Sequence, residues 1–296
     1  PRIILNHAGY SLINTLKTTF LLTVMTLFFV AIGQYLGGSG GMKLAFVFAL
    51  IMNIGSYWFS DKIILKIYKA REIDPKEFPD VIETFSSLCK KAEMSEPKLF
   101  IYSSDDPNAF ATGRNERNSV VALSTGLISH LELEEIEGVM AHELAHIENS
   151  DILIGSIAAT FAGAISMIAS ILKWGLIFGA FRGNKNSGNV FGNLLIAILA
   201  PIIALIIQMA ISRTREYKAD STAAQITKKP KFLADALSKI HNFHLESKNS
   251  RQSNRELEAA TKHMFIISPI SGGVGKLFSS HPPVEERIKK LMSMEV

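Results

Sequence analysis

The sequence predicts a mainly α-helical, multi-pass membrane protein with a small antiparallel β-sheet. Two transmembrane hairpins are expected, the second splitting a water-exposed part in two. Three observations lead there. Four uncharged apolar stretches occur in a chain of 296 residues. Hydrophobic residues make up 48% of the chain and its mean hydropathy is +0.22, yet 20% of residues are charged; membrane spans joined to a soluble part give that mixture. Three short strand-like runs lie together between the second and third apolar stretches.

The apolar stretches are Thr18 to Leu36, Leu44 to Ser60, Ile152 to Leu172 and Val190 to Ile211, the last with Pro201 near its middle. Each falls in the range of about 17–25 residues that a helix needs to cross a bilayer. The N-terminal segment PRIILNHAGYSLINTLK lacks the small-residue cleavage site of a secretory signal, so the first stretch is expected to be a retained span. GGSGG (Gly37 to Gly41) supplies the turn of the first hairpin and RGNKNSG (Arg182 to Gly188) that of the second. Lys62, Lys66, Lys69 and Arg71 crowd the end of the second stretch; Arg213, Arg215 and Lys218 crowd the end of the fourth. The opposite side carries Lys43, Arg182 and Lys185, with Lys173 inside the third run. The positive-inside rule then puts both termini and both water-exposed segments in the cytoplasm. The expected division is 1–60 (first hairpin), 61–151 (soluble), 152–211 (second hairpin) and 212–296 (soluble).

In the soluble part, Glu77 to Met94 has helical spacing at Val81, Phe85, Leu88 and Ala92. KLFIYS (98–103), NAFATG (108–113) and SVVALS (119–124) read as strands, with GRNERN as the turn between the last two. From Leu131 the helical pattern returns through Ile136, Met140, Leu144 and Ile147. The polar run ESKNSRQSNRE (246–256) reads as a surface loop. One cysteine, Cys89, excludes an internal disulfide and a cysteine-rich zinc knuckle. The net charge of +4 comes from Lys and Arg beside the apolar segments, and no nucleic-acid motif is present.

The chemistry concentrates in AHELAHIENSD (141–151). On a helix, residues four apart share a face, so His142 and His146 can offer two imidazole nitrogens to one metal. Glu143, about 100° round the helix, can hold a water at that metal. Gly138, one turn earlier, leaves room for a close approach. A third ligand is needed. The histidine of a metzincin would stand at position 152, which is isoleucine. Glu148 and Asp151 are too near in sequence to reach round. A transmembrane hairpin, however, returns the chain to the face it left, and so can bring Glu216 of REYKAD (215–220) beside the two histidines. Two histidines and a glutamate with one open position form a catalytic zinc set. Asp220, one turn beyond Glu216, is placed to accept a hydrogen bond from a ligand imidazole.

HELAHIENSD, a hydrophobic hairpin, REYKAD and then HPPVEER (281–287) resemble, in that order, the HtpX membrane metalloproteases, relatives of the zinc CAAX prenyl proteases. The two N-terminal spans and NAFATG match as well, so the resemblance covers nearly the whole chain. It implies a zincin-like protease region, one Zn2+ per chain and endopeptidase activity at the cytoplasmic face. It further implies a bacterial inner-membrane location, with a role in quality control of membrane proteins under stress. The resemblance also makes His281 a candidate catalytic donor to the oxyanion, with Arg215 as its rival and helix capping as the plain alternative.

NAFATG is the candidate substrate strand, since an extended peptide binds by adding to a sheet edge. Asn108 and Phe110 would lie on one side of it and Ala109 and Ala111 on the other; an ordinary core strand is the alternative. Two other classes fit parts of the pattern. A transporter or scaffold with a structural metal is disfavoured by a three-ligand set with a glutamate base and by spans almost without charge. A prenyl-CAAX peptidase shares the chemistry but usually has more spans. The implied partners are protein or peptide substrates and the lipid bilayer, with no nucleic acid.

Overall fold

The chain opens with one long helical run, α1 (His7–Ile67), broken at Gly37 (φ −140°, ψ 18°) and Gly38 (φ 56°, ψ −145°). Gly38 takes a left-handed conformation that favours glycine. The structure, a computed structural model, describes residues 7–158, 160, 161, 165, 213–247, 266 and 282–295. Most of the second hairpin, the polar run from 248 onward and His281 lie outside the described residues.

The two arms of α1, Thr15–Tyr35 and Gly37–Ile67, are each long and apolar enough to cross a membrane. They close on each other through small residues: a Cβ on Gly33 would stand 2.4 Å from Ala45 Cβ and 2.5 Å from the Gly41 carbonyl oxygen. Between the arms Asn53 Nδ2 donates to Thr26 Oγ1 at 2.8 Å. Leu16, Phe20, Leu27, Leu44, Ile51 and Ile54 are exposed, a composition suited to lipid. The expected five-residue turn is shorter than the sequence suggested. Two non-helical residues suffice to reverse the chain, and Ser39 to Gly41 are already helical. Helical residues from 152 begin the third apolar stretch; Ile154, Ile157 and Phe161 pack on Leu21, Met25 and Phe29 of the first arm.

The sheet has four strands, β1 (Arg71–Glu72), β2 (Lys98–Tyr102), β3 (Ala109–Gly113) and β4 (Ser119–Ser124), in the order β1-β2-β4-β3. It is mixed, which corrects the antiparallel expectation: β1–β2 and β3–β4 are antiparallel, but β2 and β4 run parallel. Burial is the physical reason. Every residue of β4 is buried, which allows it a parallel neighbour, although β3 is buried as fully at the edge. β3 folds back on β4 as a hairpin and becomes the edge, which leaves β2 on the other flank of β4. The two-residue, charged, exposed β1 suits the opposite edge.

Both faces of the sheet are covered. Phe110, Ala122 and Tyr102 meet Ile64 and Tyr68 at the far end of α1. Ala109, Ala111, Val121 and Leu123 join the main core with α2 (Pro79–Lys91) and α4 (Leu133–Glu148). The short α3 (Thr125–His130) precedes α4, whose start is fixed by a reciprocal capping box of Glu132 and Glu135. Around α4 pack α5 (Arg213–Thr227) and α6 (Pro230–Ser247), and α7 (Val284–Met292) lies against α5 and α6. The close approach that Gly138 permits is to α6: a Cβ there would stand 2.6 Å from the Leu233 nitrogen. So α4 is buried on nearly every side, including its histidine side.

Candidate active site

α4 ends just before the third apolar stretch, and α5 starts just after the fourth. The structure brings them side by side. His142 and His146 are one turn apart on α4, with Nε2 atoms 3.1 Å from each other and rings nearly perpendicular at 87°. From α5, Glu216 reaches across both: Oε2 is 3.6 Å from His142 Nε2, and Oε1 is 3.6 Å from His146 Nε2. An ion bound tetrahedrally at 2.0–2.2 Å from its ligands sets them about 3.4 Å apart. The three side chains therefore lie close enough together to hold one small cation, with one ligand atom from each within 4.8 Å of the others.

Charge points the same way. Glu143, Glu216 and Asp220 are all buried, and Arg287 is the buried cation among them. Three carboxylates against one guanidinium leave two formal negative charges when the imidazoles are neutral, the charge that one divalent ion cancels. Asp151 and Arg215 (Oδ1 to Nη1 3.6 Å) balance each other beside the site.

Each histidine is held from behind. His142 Nδ1 lies 3.0 Å from Asp220 Oδ1, and His146 Nδ1 lies 3.4 Å from Asp151 Oδ2. Asp220 is in turn gripped by Arg287, whose Nε donates to Oδ2 at 2.8 Å and whose Nη2 donates to Oδ1 at 2.7 Å. Burial works against an ionised Asp220, but the Arg287 charge and bonds from His142 and Arg287 hold its carboxyl down to about 2. Burial likewise disfavours the His142 imidazolium, yet its contacts with Asp220 and Glu216 carry its pKa up to about 9. Glu143 is raised, burial outweighing the pull of His142 and His146 and of a hydrogen bond from the Ala111 backbone. Arg287 stays cationic: burial opposes its charge, and Asp220, Glu216 and Glu143 more than compensate.

That bond to Ala111 sets Glu143 against the edge of β3. Ser124 N donates to Asn108 O at 2.9 Å, and Asn108 N donates to Ser124 Oγ at 2.9 Å. By the alternation of an antiparallel ladder, residues 108, 110 and 112 then turn their main-chain groups to β4, while 109, 111 and 113 turn theirs outward. Among the described residues no strand pairs with that outer edge. The Gly113 N–H meets Ser156 Oγ at 3.4 Å at the start of the third apolar stretch. Phe110 is packed between Tyr68 and Tyr102, with ring centroids 5.0 and 5.6 Å away. The Asn108 side chain also points inward: Nδ2 donates to the Tyr102 hydroxyl at 3.0 Å, and Oδ1 accepts from Ile266 N at 3.2 Å.

Residues 75–295 match the family model described as "Peptidase family M48". The chain belongs to peptidase family M48. Relatives named "Protease HtpX homolog" agree: that of Desulfatibacillum aliphaticivorans is 49% identical over 94% of this chain and 89% of its own length. That of Syntrophotalea carbinolica is 47% identical over 96% and 99% respectively. A crystal structure of S. mikatae Ste24p aligns with 96% of this chain at a TM-score of 0.48 and 18% identity; the chain spans 66% of that structure's length. The M48 chain is thus a membrane zinc metalloprotease, as its resemblance to the HtpX enzymes implied.

In this M48 chain, the residues read from the sequence as metal ligands, His142, His146 and Glu216, form a possible metal-holding group. Two other residues complete the surroundings and were not foreseen. For Arg287 the only local signal in HPPVEER is an arginine on the face of a short helix otherwise marked by Val284 and Leu291. Asp151 is no ligand by its place in the sequence; its position behind His146 follows from the end of α4, where Asp151 N bonds back to the His146 carbonyl at 3.0 Å.

Proposed function

We propose that this protein is a zinc endopeptidase of the bacterial inner membrane that cleaves protein chains at the cytoplasmic face, in quality control of misfolded membrane proteins. One Zn2+ per chain is held by His142, His146 and Glu216. The layout is a hairpin over 1–60, a protease region over 61–151, a second hairpin over 152–211 and a completing protease region over 212–296. The observation that carries the reading is the convergence of three metal-ligating side chains with a buried Glu143 beside a sheet edge.

The ion supplies Lewis acidity, to the scissile carbonyl and to the attacking water. Glu143 accepts a proton from that water as its oxygen bonds to the carbonyl carbon. When the carbon–nitrogen bond breaks, Glu143 returns the proton to the leaving amine. A raised carboxyl pKa suits a group that must first take a proton and then release it. Asp220 and Asp151 orient His142 and His146. The peptide lies extended along β3, pairing with the outward main-chain groups of Ala109 and Ala111, while Asn108 and Phe110 anchor the strand from behind. His281 or Arg215 donates to the developing oxyanion; Arg215 stands beside Asp151, at the His146 side of the site.

The test is Glu143→Gln. The purified variant should keep one zinc per chain by mass spectrometry and lose cleavage of a casein-type peptide by on the order of 10²–10⁴-fold. Undiminished cleavage would overturn the assignment of Glu143. A prenylated CAAX peptide cleaved in preference to casein would transfer the site to the prenyl-peptidase reading.

A further inference from the structure

Arg287 has no exposed surface, and its hydrogen bonds run in two directions. Nε and Nη2 hold Asp220, and Nη1 donates to the Ile266 carbonyl at 2.8 Å. On the other side of that residue, the Ile266 N–H donates to Asn108 Oδ1 at 3.2 Å. The Asn108 amide is in turn oriented by its donor bond to the Tyr102 hydroxyl at 3.0 Å. A buried path results: hydrogen bonds join Tyr102, Asn108, Ile266, Arg287 and Asp220, and Asp220 Oδ1 lies 3.0 Å from His142 Nδ1. All six residues are buried. The path joins the mouth of the edge strand to a metal-ligating imidazole without passing through α4. A planar guanidinium suits this use, because it can bind a carboxylate with two parallel bonds and still offer a further N–H to a carbonyl at a fixed angle.

We propose that Asn108 and Arg287 are positioning residues of the metal centre. Asn108 fixes Ile266, Ile266 and Asp220 fix Arg287, and Asp220 orients His142, so the strand that presents the peptide and the site that cuts it are held in one register. The proposal rests on the reading of His142 as a zinc ligand. Partners behind a metal ligand typically alter metal affinity by 10–100-fold when removed. Arg287 also touches a ligand directly, its Nη1 lying 3.5 Å from Glu216 Oε2, so the decisive residue is Asn108, which has no ligand contact and should alter zinc affinity only if the path is mechanically continuous.

The experiment is a zinc competition titration of the full-length protein in detergent against a chelating dye, at fixed pH, on wild type, His142→Ala, Arg287→Lys, Asn108→Ala, the Asn108→Ala/Arg287→Lys double variant and Ser156→Ala. Arg287→Lys keeps the charge but cannot serve Asp220 and Ile266 together, and should weaken zinc binding about tenfold or more. Asn108→Ala should weaken it several-fold. The double variant should fall well short of the product of the two, because both cut one path. Ser156→Ala removes another buried bond to β3, that of Ser156 Oγ to Thr112 Oγ1 at 2.8 Å, and should bind zinc as wild type does.

Wild-type affinity in Asn108→Ala, or multiplicative losses in the double variant, would overturn the relay. Equal binding by wild type and His142→Ala would instead overturn the metal site itself, which separates the two failures. Hydrogen exchange supplies a reading that does not need Asn108→Ala to fold. Zinc should slow exchange in the peptide containing Ile266 in wild type, and this slowing should vanish in Arg287→Lys. Exchange indifferent to zinc in wild type sinks the relay.

Discussion

His142 shows how neighbours set the behaviour of one residue. In the metal-free protein, burial opposes its charge, but Asp220 and Glu216 bring its pKa to about 9 from an ordinary value of 6.5. The folded state therefore holds that proton more tightly than the unfolded chain. The resulting stability is fully present below about pH 6.5 and is lost as pH rises through about 9. Glu143, raised by burial, has the same sign, and Asp220, depressed to about 2, contributes no slope in this window. The melting temperature of chelator-treated protein should fall between pH 6.5 and 9. Zinc binding displaces the proton, so the stabilisation that zinc adds should grow across the same interval. A metal-free melting temperature that climbs with pH would contradict the arrangement of His142, Asp220 and Glu216. At this scale much of the site was legible. The four-residue spacing of HELAH and the position of REYKAD across a hairpin brought His142, His146, Glu216 and Asp220 into one group. Arg287 and Ile266 were not legible, because their contacts are to a side chain and a peptide unit far away in sequence, and nothing local in HPPVEER encodes a partner.

Among the elements, α4 carries the most, and its tightest contact is at Gly138. A Cβ there would meet the backbone of α6, 2.6 Å from the Leu233 nitrogen and 2.8 Å from the Phe232 carbonyl carbon. Backbone cannot swing aside as a side chain can. Gly138→Ala should cost about 1–3 kcal/mol of stability through forced separation of α4 and α6, read as a lower melting temperature; a variant as stable as wild type would show that the helices part freely. For β3, the alternation of outward groups gives a second test. Proline at Ala109 removes an outward N–H and leaves the bonds to β4 intact, whereas at Ala111 it would also remove the bond to Glu143. The Michaelis constant for peptides should rise in a folded variant, and unchanged kinetics would remove the edge from the substrate path. The sequence showed these strands but not their order. β3 and β4 are buried on both faces, so apolar alternation could not tell a central strand from an edge, and the parallel pairing of β2 with β4 left no local trace.

The molecule as a whole couples its membrane part to its catalytic part through the second arm of α1. That arm is a helix of 31 residues, about 46 Å long at 1.5 Å per residue. The hydrocarbon core of a bilayer is about 30 Å thick. The arm can therefore cross it and still deliver Ile64 and Tyr68 to the sheet at Phe110 and Tyr102. The hairpin tip at Ser39 and the C-terminal helix at Ser293 must then lie on opposite sides. Under the proposed topology, Lys62, Lys66, Lys69 and Arg71 at the sheet end put that side in the cytoplasm. The chain offers a clean background for a test, since Cys89 is its one cysteine. It is buried, and burial together with the Glu96 charge pushes its thiol up to about 12, so it stays unreactive in the fold. Ser39 and Ser293 are both exposed. A membrane-impermeant maleimide should label Ser39→Cys in intact spheroplasts, and Ser293→Cys only after permeabilisation. Labelling in the reverse order would turn the active site to the outer face, and the proposed cytoplasmic protease would have to be abandoned.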